Sequence, residues 1–245
     1  TLFGGADNDT FIFSAGTGLT SADAVDGGSE ADTVMLTGNT AIAATNFNNV
    51  RNIETISIAN TTTNVAITTL DTLVALGTSL TLQATTLTTG ILTFIGSAET
   101  NGTFNITGGS ANDSITGGAG NDTLAGSNGN DSLTAGLGND TLIGDAGNDT
   151  LRFTAVSGLT SADMVDGGTG TDTVALTGNT AFASSTYFDN VQNIEAITLG
   201  NTTTAVTITT QDSLVAAGAT LALSNAANSG VLTFDGSAET DGIFT

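Results

Sequence analysis

The sequence has no cysteine, proline, histidine or tryptophan, and its only basic side chains, Arg51 and Arg152, stand against 24 acidic ones for a formal net charge of −22. Without cysteine there is no disulfide and no thiol chemistry. Without histidine, cysteine or lysine the common general bases and activated nucleophiles are missing, so the chain is not expected to be an enzyme. No basic patch exists to neutralise phosphates, which excludes nucleic acid as a partner. Anionic membrane surfaces are excluded as well, except through bridging cations. No apolar run approaches the roughly eighteen residues of a membrane span, so direct membrane insertion is not expected. No leader-like segment opens at Thr1 and both ends fall inside repeats, so the chain reads as a piece of a longer one. Aromatic residues make up 5% of the chain, which argues against a large globular core. Yet 39% is hydrophobic, alternating with threonine, unlike a disordered chain. A thin, repetitive interior fits both numbers, and the absence of proline suits uninterrupted strand ladders.

What the chain does have is repetition. Five consecutive nine-residue units fill residues 108–152: GGSANDSIT, GGAGNDTLA, GSNGNDSLT, AGLGNDTLI and GDAGNDTLR. Each has a glycine-rich start, an aspartate in sixth place (Asp113, Asp122, Asp131, Asp140, Asp149) and a large apolar residue in eighth (Ile115, Leu124, Leu133, Leu142, Leu151). Four positions depart from the glycine pattern: Ala111, Ser127, Ala135 and Asp145. Asp145 is either a further ligand or a solvated charge. Related single units are GGADNDTFI (4–12), GGSEADTVM (27–35) and GGTGTDTVA (167–175), which add Asp9, Asp32 and Asp172. Asp172 keeps the fourth-place glycine that Asp32's turn lacks and is the better candidate. Asp26 and Asp166, with Asp23 and Asp163, lie just before these turns.

This array resembles the RTX family, whose pattern is G-G-x-G-x-D-x-U-x with U a large apolar residue. The resemblance implies an all-β fold, a right-handed parallel β-solenoid in which a calcium-binding β-roll is flanked by longer β-helix-like coils. It implies several calcium ions seated between stacked turns. The ligands would be the carboxylates of Asp113, Asp122, Asp131, Asp140, Asp149, Asp9, Asp32 and Asp172, with Asp26 and Asp166 beside them. Inward carbonyls of turn glycines such as Gly117, Gly118, Gly120, Gly138 and Gly147 would complete the set. These are hard oxygen donors, the kind calcium takes. If two units make one coil, Asp113, Asp131 and Asp149 form one column and Asp122 and Asp140 the other. Unscreened carboxylates about 5 Å apart repel by roughly 3 kcal/mol at an effective dielectric near 20, which a divalent cation reverses.

A longer repeat encloses the array. Residues 1–104 align with 141–244: GLTSADAVDGG (18–28) with GLTSADMVDGG (158–168), NVRNIETI (49–56) with NVQNIEAI (190–197), GSAETNG (96–102) with GSAETDG (236–242). The expected organisation is the end of a preceding roll over 1–12, a first solenoid module over 13–107, the central roll over 108–152 and a truncated second module over 153–245. Short alternating strands are predicted at Ile53–Ile58, Val65–Thr69, Leu80–Gln83, Ile91–Phe94 and Phe104–Thr107, every ten to fourteen residues and close to one coil each. One helical turn is predicted from Asp71 to Gly77 and another from Asp212 to Gly218, with the aspartate as N-cap.

Functionally, the expectation is a structural, calcium-binding segment of a secreted bacterial surface protein of S-layer, filament or adhesin type. The resemblance implies one-step export and folding in extracellular calcium, followed by self-association into a lattice or fibre. The alternative is a calcium-folded module of a secreted enzyme. An ice-binding adhesin is disfavoured, because the third place of the array carries Ser110, Ala119, Asn128, Leu137 and Ala146 and so lacks a threonine rank. Phosphate binding by the glycine loops is disfavoured by the carboxylate in each.

Overall fold

The computed structural model describes residues 1–14, 18–37, 44–59, 62–154, 158–177, 187–200, 206–211, 213–216, 219–224, 232–240 and 242–245. Among them the only helical element is a single 3-10 turn, Ala44–Phe47; the rest is strand and turn. All strand pairs are parallel, and strands taken in chain order fall alternately into different sheets. The chain therefore winds as a β-solenoid of about nine turns, with one strand of each coil on each side. Two nine-stranded sheets carry most of it, and both continue without interruption through the nonapeptide array.

Coil length follows the sequence. In the array Thr123 pairs with Thr141 and Ser132 with Thr150, a coil every 18 residues. Flanking coils are longer, as in the pairings of Thr10 with Thr33 and Thr55 with Thr81. The predicted strands are present as Thr55–Ile58, Val65–Thr68, Ser79–Gln83, Leu92–Ile95 and Thr103–Thr107. Each is half a coil rather than a whole one, because two such strands, one per sheet, close each turn of the solenoid.

Period-two alternation puts every second side chain inside, and the parallel register stacks like upon like. In one sheet Phe11, Val34, Ile56, Leu82, Ile106, Leu124, Leu142, Val165 and Val191 follow one another in register. In the other, Ile67, Phe94, Ile115, Leu133, Leu151, Val174 and Ile197 do the same, all with 0% exposure. These two columns meet and form the interior. Nonapeptide strands such as Ser132–Thr134 bury one large side chain each. Thr150–Thr154, leading into the longer coils, buries Leu151 and Phe153.

The helical turn expected at Asp71 is not formed. Residues 71–77 make two separate turns, closed by Leu73 N–H on the Leu70 carbonyl and Thr78 N–H on the Ala75 carbonyl, and the Asp71 carboxylate accepts from the Thr100 amide (2.8 Å) and hydroxyl (2.6 Å) on the next coil. A donor stacked one coil away outcompetes the local amides a cap would need. Asp212 and Gly218 lie outside the described residues.

The long repeat spans an odd number of strands. Thr10–Phe13 of the first copy and its equivalent Thr150–Thr154 of the second lie in different sheets. A shallow groove beside Asp26 and Arg51 in the first copy recurs beside Asp166 and Gln192 in the second.

Leu133→Ala should cost about 2–5 kcal/mol, because the buried column cannot close over the missing atoms. Thr134→Ala, on the outer side of the same strand, should change stability by less than about 0.5 kcal/mol. Chemical denaturation of both variants in calcium measures the difference.

Candidate metal centre

Each aspartate turn is tied to the next coil by a ladder of hydrogen bonds in which a backbone N–H meets a carboxylate. The Asp113 amide donates to Oδ1 of Asp131 (2.6 Å), the Asp131 amide to Asp149 (2.7 Å) and the Asp149 amide to Asp172 (2.7 Å). On the other side the Asp122 amide donates to Asp140 (2.8 Å) and the Asp140 amide to Asp163 (2.7 Å). These are the two columns that the eighteen-residue spacing predicts. Each begins on an apolar coil, with Leu92 N–H on Asp113 and Phe104 N–H on Asp122. The first column is capped by Glu195, which accepts from the Asp172 amide at 2.8 Å. A shorter ladder at the N-terminal end runs from the Asp9 amide to Asp32 and from the Asp32 amide to Glu54.

The fifth-place asparagines make a second, outer ladder. The amides of Asn130, Asn139, Asn148 and Thr171 donate to Oδ1 of Asn112, Asn121, Asn130 and Asn148 respectively, at 2.8–2.9 Å. Seventh-place amides of Ser132, Thr141 and Thr150 go to the aspartate carbonyls of the coil before. Turn backbone that would otherwise be unpaired is thus satisfied coil to coil, as buried polar groups require.

The carboxylates are buried: Asp113, Asp122, Asp131, Asp140 and Asp149 are 1–2% exposed, and Asp32 and Asp172 are 0%. First-place glycines make room for them. A Cβ added to Gly108, Gly117, Gly126 or Gly144 would run into Oδ2 of the aspartate five residues on. In Asp9, Asp32, Asp131, Asp149 and Asp172 that Oδ2 has no hydrogen-bond donor among the described residues. Carbonyl oxygens crowd the same region, since a Cβ on Gly138 would meet the Gly120 carbonyl and one on Gly147 the Gly129 carbonyl. No three His, Cys, Asp or Glu side chains of the described residues converge on one point. A cation here would be held by carboxylate and backbone carbonyl oxygens together, a donor set that fits calcium and suits neither zinc nor copper. No described helix is long and apolar enough to cross a membrane.

The remaining predicted residues sit elsewhere. Asp26 is held outside the columns by Arg51 (2.6 Å) and Asn52 (2.7 Å). Asp166 is held likewise by Gln192 (2.6 Å) and Asn193 (2.8 Å). Asp163 joins a column, whereas its counterpart Asp23 bonds Thr20. Glu54 and Glu195 as ladder caps are not marked by the nonapeptide pattern. Their signal is spacing, since each follows its ladder aspartate by 22 or 23 residues, one flanking coil.

These features define a parallel β-solenoid with glycine–aspartate turns of calcium-binding type. The family model of the RTX calcium-binding nonapeptide repeat matches in four copies, at residues 1–19, 105–133, 117–151 and 156–176. These stretches of the chain carry RTX calcium-binding nonapeptide repeats. No curated protein and no solved structure matches it.

Burial pushes the ladder carboxyls up: Asp122 and Asp172 to about 6, Asp131 and Asp140 to about 7, and Asp113 and Asp149 also upward. Amide donors oppose the shift, and neighbouring carboxylates add to it at Asp131 and Asp140. A carboxyl raised on folding contributes its full stability below its unfolded value of about 4 and loses it as pH rises through about 6 to 7. The metal-free chain should therefore lose thermal midpoint between about pH 5 and pH 8, and saturating calcium should flatten the dependence. Melting followed by circular dichroism in chelator and in calcium reads this directly; a midpoint rising with pH in chelator would contradict it.

Proposed function

We propose that the chain is a calcium-folded structural segment of a secreted bacterial cell-surface protein, of the kind that builds a lattice, filament or adhesin stalk. The observation that carries the reading is the set of buried, donorless Oδ2 atoms of Asp131, Asp149 and Asp172 stacked along one ladder. Buried anions stacked in a column are costly alone and favourable around a divalent cation. Asp131, Asp140, Asp149, Asp172, Asp9 and Asp32, whose turns share one backbone form, would hold calcium with the turn carbonyls. The bound ion would supply charge neutralisation and a cross-link between coils, with no chemical step. Millimolar external calcium matches the affinity of extracellular modules. At free calcium a hundredfold above Kd, each independent site adds about 2.7 kcal/mol to folding.

A net charge of −22 resists compaction until cations bind, which supports export as an unfolded chain followed by folding outside. The duplicated module favours a repetitive surface protein over the tail of a secreted enzyme, and the scarcity of catalytic side chains favours a structural role. At neutral pH chelator should reduce the β-sheet circular dichroism signal and calcium should restore it; a spectrum unchanged in excess chelator refutes calcium-dependent folding. Electron microscopy with and without calcium tests assembly, with ordered sheets or fibres expected only with the ion.

A further inference from the structure

The aspartate turns are of two kinds, and the difference lies in two backbone angles. In six turns the second and fourth residues both have left-handed φ: Gly5 and Asp7, Gly28 and Glu30, Ser127 and Gly129, Gly136 and Gly138, Asp145 and Gly147, Gly168 and Gly170. In the turns 108–113 and 117–122 neither residue does. In those two, the second-place amide points inward and closes on the carboxylate: Gly109 N–H donates to Oδ2 of Asp113 (2.6 Å) and Gly118 N–H to Oδ2 of Asp122 (2.7 Å). Where the second residue is left-handed no such bond forms, and Oδ2 of Asp9, Asp32, Asp131, Asp149 and Asp172 is left buried without a donor.

Within and after the array the two forms also differ in the coil beneath. The open turns at 126, 135, 144 and 167 each stack on another glycine turn. Gly136 lies against the Gly118 carbonyl, Gly129 against that of Ala111 and Gly168 against that of Asp145. The two closed turns stack instead on flanking coils without one. Gly109 lies against the Leu87 carbonyl, and Gly118 lies against Glu99 and the Phe104 ring. Ser127 and Asp145 adopt a conformation that non-glycine residues reach only at a cost, and both stand in turns that stack on another glycine turn.

Resting on the calcium reading above, we infer that the turns 108–113 and 117–122 hold no calcium, although GGAGND at 117 is the most regular unit of the array. A backbone amide takes the cation's place at Oδ2, and calcium binding begins one coil further on. The first coil of the array is then a metal-independent base on which the loaded turns stack.

Calcium counted by equilibrium dialysis of the full chain tests this with aspartate-to-asparagine variants. Asp131→Asn and Asp149→Asn should each bind fewer ions than the parent, whereas Asp113→Asn and Asp122→Asn should bind the same number. Hydrogen exchange of the Gly109 and Gly118 amides in the parent, read by NMR at saturating calcium, gives an arm independent of variant folding: both should be protected. A lower count in a folded Asp122→Asn, an unchanged count in Asp131→Asn, or fast exchange at Gly109 and Gly118 overturns the inference. If an Asp122→Asn chain unfolds, the parent's amides decide. A parent that binds no calcium sinks the calcium reading itself and is thereby distinguished from failure of this one.

Discussion

The bond from each aspartate amide to the carboxylate one coil away is the contact on which the rest depends. It fixes the vertical register, because the donor and acceptor are the same residue type repeated at the coil period. It holds the carboxylates inside, where the first-place glycines leave them space. A hydrogen bond to a charged acceptor contributes about 1.5–3 kcal/mol net, and the ladder repeats it at every coil of the array. Within the array the apolar columns share its register: Leu133 stacks on Ile115 and Leu151 just as Asp131 is seated between Asp113 and Asp149.

That contact also sets the electrostatic problem. Each rung satisfies one carboxylate oxygen and leaves the other to its turn. Desolvation then raises the carboxyls toward neutrality, to about 7 at Asp131 and Asp140. Protons and divalent cations are two answers to the same buried charge, and the backbone amides of Gly109 and Gly118 are a third. Exposed aspartates behave in the opposite way. Asp26 beside Arg51, and Asp71 and Asp235 through hydroxyl and amide donors, have their carboxyls lowered. Their contribution is present above pH about 4 and is lost in stronger acid.

Much of this was legible in the residues. The period of the array predicts the two columns, and alternation places the strands to within a residue or two. The glycine in first place follows from the carboxylate five residues later. What was hidden depends on neighbours in space. Asp71 has the sequence context of a helix cap, yet Thr100, far along the chain, offers better donors. Asp163 and Asp23 share the motif LTSAD, but Asp163 stacks on Asp140 and joins a column. Gly118 and Gly120 have the same letters as Gly168 and Gly170 but a different backbone sense, and the coils they stack on differ.

The odd strand count of the long repeat has a geometric result. Equivalent residues in successive copies belong to different sheets, so the groove beside Asp26 and its counterpart beside Asp166 look out in different directions. In a chain continuing this pattern, what one copy displays on one sheet the next displays on the other. The parity of a strand number thereby decides whether equivalent surfaces of successive copies lie on one flank of the solenoid or on both.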